Sequence, residues 1–338
     1  MKVISGRSNP ELAKKICIDL SNFFNQEINL TECILEPFGN GEIRVVISEN
    51  IRGNDIYIVQ TGVSLINDKN NKKNKNTLSI NDIIMETLLI IDAAVRAGCK
   101  KVIVIFAHFP YARSDKKDRP RVPIGSSLVL QIIQAAGADR IISMDLHSGQ
   151  IQGNTQLPFD NLYATPLFLP KLELLKEIYK DKLVVVSLDV GGAKRVEDYA
   201  KRLSLPHAIM SKQRDYSQVS TVDHSYLLGN VEGKICICID DIVDTGGTLI
   251  KALSDLKNHG ATGAIVVATH GLFSAQAIKR INDENFIHEI WVTDTISQNN
   301  NMKNCDKLVE VGSSYLFAKV IQILHTKKGS ISKILSQS

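Results

Sequence analysis

Six short apolar runs constrain this chain more than any other feature: "KVIVIF" (101–106), "RIISM" (140–144), "KLVVVS" (182–187), "KICICI" (234–239), "AIVVAT" (264–269) and "EIWVT" (289–293). None shows the strict apolar/polar alternation of a half-buried strand. Strands without that alternation are buried on both faces, as happens when helices cover both sides of a parallel sheet. A Gly- or Asp-containing loop and then a helical pattern follow each run, which gives an α/β class. At 338 residues the chain is long for one domain, and two domains are expected. The proline-bearing stretch "DNLYATPLFLP" (160–170) is the preferred junction between the two blocks of strands.

Composition narrows the setting. With 44% hydrophobic and 22% charged residues, the chain has ample material for a core. A net charge of +4 is too small to argue for nucleic acid or a membrane surface. No apolar run reaches the roughly 18 residues of a membrane helix. The start, "MKVISGRSNP", reads as a strand and a turn rather than a secretory signal. The six cysteines form no zinc or C-x-x-C spacing, so a reduced, cytoplasmic protein is expected. "SNPE" (8–11) reads as a capping box with Ser8 as the cap. "DKNNKKNKN" (68–76) has nothing to bury and reads as a solvated insertion.

The segment "KICICIDDIVDTGGTLI" (234–250) carries chemistry. A buried strand runs into an acidic turn at Asp240, Asp241 and Asp244. Thr245, Gly246, Gly247 and Thr248 follow, and then an apolar helix with a Gly stop. The two glycines leave out side chains where an oxyanion must approach main-chain N–H groups. The helix N-terminus adds partial positive charge, and the two threonines can donate hydroxyl bonds. That suits a phosphate monoester. The carboxylates cannot hold the same phosphate, but they suit sugar hydroxyls or Mg²⁺ beside it. A phosphate next to a cis-diol describes ribose 5-phosphate.

This segment resembles the motif for phosphoribosyl diphosphate (PRPP) shared by phosphoribosyltransferases and by ribose-phosphate diphosphokinases, which make PRPP and AMP from ATP and ribose 5-phosphate. Other segments favour the maker over the users. "FGNGE" (38–42) is similar to the diphosphokinases' Phe-x-Asn-x-Glu element, and "FPYARSDKKDRPR" (109–121) to their ATP loop. "MDLHSGQIQG" (144–153) with "DNLYATP" (160–166), "SLDVGGAKR" (187–195), "SKQR" (211–214), "ATHGLFS" (268–274) and "GSIS" (329–332) also fit. The resemblance spans nearly the whole chain. No Walker loop or G-x-G-x-x-G fingerprint competes with it.

The resemblance implies two tandem phosphoribosyltransferase-like α/β domains, each a mainly parallel sheet flanked by helices. Residues 1–163, joined by 318–338, form the ATP side, and 164–317 the ribose 5-phosphate side. It implies ATP contacts from Arg113, Ser114, Asp118 and His147, with Phe38, Asn40 and Glu42 supplied by a neighbouring subunit. Ribose 5-phosphate falls to Asp189, Asp240, Asp241, Asp244, Thr245, Gly246, Gly247 and Thr248. The cofactor is Mg²⁺, at His147, Asp189, Asp145 and Asp160. Lys212 and Arg214 are the implied catalytic pair, on a polar stretch (211–225) that reads as a lid. Arg52, Arg121, Ser330 and Ser332 resemble a regulatory site for inorganic phosphate and ADP, and a dimer-based homo-oligomer, a hexamer, is implied. Ser114 stands where relatives usually have Gln, Leu188 where they have Pro, and Gln156 where some carry an acid. A PRPP-consuming transferase leaves 38–42 and 109–121 unexplained. A non-catalytic regulatory relative is disfavoured because the ATP loop and "SKQR" are intact.

Overall fold

The computed structural model describes residues 1–63, 78–213 and 224–336. The stretch 68–76 and Arg214 lie outside the described residues. The chain forms two compact units. Of the described residues, one unit holds those within 1–163, 294–297 and 312–336; the other holds those within 164–293 and 298–311.

The first unit runs β1 (Lys2–Ser5), α1 (Pro10–Phe24), the hairpin strands β2 (Cys33–Pro37) and β3 (Ile43–Ile47), β4 (Asp55–Gln60), α2 (Ile80–Arg96), β5 (Lys101–Phe106), α3 (Gly125–Ala136), β6 (Arg140–Met144) and β7 (Phe159–Leu162). Its main sheet is ordered β1-β4-β5-β6-β7, with every pair parallel. "KVIVIF" and "RIISM" form β5 and β6 residue for residue, and each is buried beyond its first position. Val102, Val104 and Ile141 pack in one cluster with Ile83 and Ile90 of α2 and Val129 and Ile133 of α3. Each such side chain contributes about 1.5–3 kcal/mol when fully buried.

The expected Ser8 cap is corrected. Asn9 caps α1, its side chain accepting from the Leu12 N–H at 3.2 Å, with Pro10 opening the helix. Ser8 is instead buried, where its hydroxyl accepts from the Thr61 N–H at 2.7 Å and donates to Gln60. Tying the turn after β1 to the end of β4 satisfies more buried polar groups than an exposed cap could.

The second unit follows with α4 (Thr165–Tyr179), β8 (Leu183–Ser187), α5 (Ala193–Leu203), β9 (His207–Gln213), β10 (His224–Leu228), β11 (Ile235–Val243), α6 (Gly247–Asn258), β12 (Gly263–Gly271), α7 (Ala277–Asp283), β13 (Ile287–Thr293), α8 (Asn299–Met302) and β14 (Leu308–Val311). The chain then returns to the first unit with α9 (Ser314–Thr326) and α10 (Ile331–Ser336). The second sheet is ordered β10-β9-β8-β11-β12-β13-β14, and only the β9–β10 pair is antiparallel. Both units are thus mainly parallel sheets with helices, as the apolar runs require. Cys236 and Cys238 face the same core as Leu249, Leu253 and Leu256 of α6, and burial pushes the Cys236 thiol up to about 12.

The order of the second sheet positions the site. From β8 the chain moves outward to β9 and β10; from β11 it moves the other way to β12, β13 and β14. The connections leaving β8 and β11 therefore diverge and open a crevice beyond the carboxyl ends of these two neighbouring strands. Ligands of open α/β sheets bind at such switch points.

Candidate active site

The two loops at this switch point are "LDVGG" (188–192) and "DTG" (244–246). Asp189, exposed, accepts the Gly192 N–H on Oδ1 at 2.9 Å, and its carbonyl accepts the Ser187 hydroxyl at 2.6 Å. A Cβ on Gly192 would stand 2.6 Å from Ser187 Oγ, so the turn closes only around a glycine. On the other strand, Gly246 precedes α6 at φ 75°, a left-handed conformation that L side chains resist. No side chain caps α6 and no acid lies in its first turn, which leaves its positive end available to an anion. Thr245, Gly247 and Thr248 are all exposed there.

Asp240 and Asp241 correct the expected acidic turn: both lie within β11, which continues to Val243. Pairing with β12 through Asp240↔Ala268 and Ile242↔His270 carries the strand past the last apolar run. Asp241 is buried and Asp240 partly so. Arg195 of α5 reaches them from the β8 side, with Nη1 3.5 Å from Asp241 and 3.9 Å from Asp240. Burial, reinforced by the hydrogen-bonded Asp241 carboxyl, pushes Asp240 up to about 8. A buried carboxyl pair with a cation at one side can accept hydrogen bonds from hydroxyl donors such as a sugar diol. Asp244 is braced differently. Its carboxylate accepts the Ser274 hydroxyl and its carbonyl accepts the Ser274 N–H at 3.1 Å, which ties the loop to the end of β12.

The stretch 211–225, expected to be loop throughout, is strand at both ends. Lys212 pairs with Ser225 across the antiparallel β9–β10 ladder, which satisfies backbone groups that a loop would leave to water. Lys212 is described by its backbone, and its expected partner Arg214 is outside the described residues.

In the first unit, Arg113, Ser114 and Asp118 occupy the long connection between β5 and α3, beyond the carboxyl end of β5. Ser114 organises it: its Oγ accepts the Gly125 N–H at 3.1 Å and its carbonyl accepts the Ser126 N–H at 3.1 Å, clasping the loop to the start of α3. Arg113 and Asp118 are exposed. The next strand, β6, is followed directly by Asp145, buried at φ 39°, with exposed His147 two residues on. The loops after β5 and β6 thus gather Arg113, Asp118, Asp145 and His147 at the same edge of one sheet. Asp160 does not join them. It lies near the start of β7, with its carboxylate 2.5 Å from Arg140 at the opposite end of β6.

Phe38, Asn40 and Glu42 form the tip of the β2–β3 hairpin. The Phe38 N–H donates to Glu42 O at 2.7 Å, and Asn40 Oδ1 accepts the Glu42 N–H at 3.1 Å. Phe38 is 52% exposed, so the fold leaves about half of this large apolar side chain in solvent. Arg52 sits in the turn after β3, and Arg121 at φ 65° in the loop between β5 and α3; Ser330 and Ser332 hydrogen bond to each other at 2.7 Å around the start of α10. Among the described residues no group of three or more His, Cys, Asp or Glu lies close enough together to hold a metal ion, and no helix is long and apolar enough to cross a membrane. Two residues outside the 244–248 loop shape it: Ser274, the last residue of "ATHGLFS", and Arg280, which carried no signal in the sequence. They reach it only through the return of the chain along β12 and α7.

Comparison with known proteins places these features in context. Residues 1–137 match the family described as the N-terminal domain of ribose phosphate pyrophosphokinase, and residues 224–336 match the phosphoribosyl synthetase-associated domain. The phosphoribosylpyrophosphate synthetase from Mycobacterium smegmatis is 33% identical, with a TM-score of 0.84, covering 97% of this chain and 99% of that one. A purine phosphoribosyltransferase from Pyrococcus horikoshii Ot3 matches at 16% identity and a TM-score of 0.26, over 43% of this chain and 80% of its own, too distant to carry weight.

Proposed function

Because the chain belongs to the ribose phosphate pyrophosphokinase family, the phosphoribosylpyrophosphate synthetases, we propose that its two units divide the work of making PRPP and AMP from ribose 5-phosphate and ATP. The observation that carries the ribose 5-phosphate assignment is the switch point of the second sheet. The Asp240–Asp241 pair lies at the end of β11, and the connection from that strand leads through Gly246 into the uncapped N-terminus of α6. The 5-phosphate sits on the N–H groups at the start of α6, with Thr245 and Thr248 donating hydroxyl bonds. Asp240 and Asp241 take the ring hydroxyls, Asp189 stands across the crevice, and Asp244 holds the loop. ATP belongs to the first unit, on Arg113, Ser114, Asp118 and His147. The exposed Phe38, Asn40 and Glu42 are offered to the ATP of a neighbouring subunit in a homo-oligomer.

Residues that suit Mg²⁺ are present. Asp189 is exposed and spends one carboxylate oxygen on Gly192, which leaves the other for a cation, and hard oxygen donors supplemented by phosphate and water are what this ion takes. Asp189 would hold an ion on the ribose 5-phosphate side, and Asp145 with His147 one on the ATP side; Asp160, bound to Arg140, would not. When bound, Mg²⁺ supplies neutralisation of phosphate charge. In the reaction the 1-hydroxyl oxygen of ribose 5-phosphate forms a bond to the β-phosphorus of ATP. The bond from that phosphorus to the AMP oxygen breaks, and the hydroxyl proton passes to solvent. Such transfers ask a protein mainly for position and charge. Asp240 and Asp241 fix the sugar, and Lys212 and Arg214 add positive charge as the diphosphoryl group moves.

Incubating the protein with ATP, Mg²⁺ and ribose 5-phosphate, with no nucleobase, tests this. AMP is the expected product. ADP would mean ordinary phosphoryl transfer, and a requirement for a nucleobase would mean a PRPP-consuming transferase; either would overturn the proposal.

A further inference from the structure

The loop 244–248 must offer N–H groups to a phosphate dianion, yet the same turn carries carbonyl oxygens that repel one. The Thr245 carbonyl is dealt with from outside the motif: Arg280, 35 residues on in α7, donates Nη1–H to it at 2.6 Å. A Cβ built on Gly247 would stand 3.5 Å from that Nη1 and 3.8 Å from Thr245 Oγ1, so the guanidinium lies against the first residue of α6. α7 is anchored for this task. Ala277 and Ile281 are buried, and Ala277 Cα would lie 3.5 Å from a Cβ on Gly246.

Arg280 has no carboxylate partner among the described residues. Arg96, Arg140 and Arg202, by contrast, are each paired with an aspartate at 2.5–2.9 Å. Its nearest acid on the loop, Asp244, is occupied by Ser274. Apart from the bond to Thr245, its N–H donors have no protein partner there, and the side chain is exposed. A guanidinium fixed by one N–H on a turn carbonyl, with its fork otherwise open, is arranged for an oxyanion.

We propose that Arg280 is a positioning residue of the ribose 5-phosphate site. It engages the Thr245 carbonyl so that the turn presents N–H groups to the phosphate, and it brings a cation to the rim of the loop. The phosphorylated sugar is thereby selected over free ribose. This role rests on the reading of residues 244–248 as the 5-phosphate loop.

Steady-state kinetics on Arg280→Gln and Arg280→Lys test it. In R280Q the KM for ribose 5-phosphate should rise about tenfold or more, the loss expected for one charge-assisted hydrogen bond, while the KM for ATP and kcat stay within about twofold. R280K, which keeps the charge without the fork, should recover part of the loss. An unchanged KM for ribose 5-phosphate in R280Q would overturn the proposal. So would equal losses for both substrates with a lowered melting temperature, since that marks a merely structural residue. Wild-type protein run alongside separates the two levels. If it forms no AMP, the parent reading fails, whereas calorimetric titration with ribose 5-phosphate and with ribose still reads the contribution of Arg280.

Discussion

Asp240 shows how a single side chain couples this site to pH. Burial first, and the Asp241 carboxyl second, push it up to about 8, far above the ordinary aspartate value of 3.8. A group whose folded value is raised stabilises the fold fully below its unfolded value, and that contribution is lost as pH rises through the folded one. The ligand-free protein should therefore lose stability from this group between about pH 4 and 8. Asp240→Asn should flatten that slope in urea unfolding followed across the range. Sugar hydroxyls donate to an ionised carboxylate, so ribose 5-phosphate binding near pH 7 should also release protons. Calorimetry in two buffers of different ionisation enthalpy would detect this, and D240N would reduce it to what the sugar phosphate itself releases. A slope unchanged by D240N would contradict the assignment.

Elements hold these residues in place through contacts that sequence reading captures unevenly. Glu86, fully buried on α2, accepts the Arg7 N–H at 2.8 Å, Arg7 Nε–H at 2.5 Å and Gln60 Nε2–H at 2.8 Å, fastening the turn after β1 to β4. Glu86→Ala leaves Arg7 and Gln60 without this acceptor and should lower unfolding free energy by about 3 kcal/mol. Glu86→Gln, which keeps one acceptor, should cost less, and chemical denaturation distinguishes the two. Nothing local marks Glu86, because its partners lie 26 and 79 residues away. The buried strands, by contrast, were legible since "KVIVIF" and "RIISM" permit little else. The acidic turn was misjudged because Asp240 and Asp241 look like loop residues until β12 pairs with them. The stretch 211–213 was misjudged likewise, its strand character coming from the ladder with β10.

At the scale of the whole molecule, the two units are built on the same parallel plan but differ in how the chain leaves the sheet. The first sheet is laid down in one direction from β1 to β7, while the second reverses between β8 and β11. That reversal opens the crevice between loops 188–192 and 244–246, and no sequence motif reveals strand order. The segment 294–297 crosses back into the first unit and is pinned there. Asn9 Nδ2–H donates to the Asp294 carbonyl at 2.9 Å, and Asp294 accepts the Ser313 N–H at 2.7 Å and Lys15 Nζ–H at 2.8 Å. α9 then packs on α1 through the Phe23–Tyr315 edge contact, with ring centroids 5.3 Å apart. The assembled chain is a diphosphoryl transferase whose sugar hydroxyl is the attacking group. The most direct measurement supplies ribose 5-phosphate labelled with ¹⁸O at the 1-hydroxyl, together with ATP and Mg²⁺, and follows the products by ³¹P NMR. The account predicts PRPP with the label in the bridge between C1 and phosphorus, and unlabelled AMP. Label absent from that bridge, or label appearing in AMP, would contradict it.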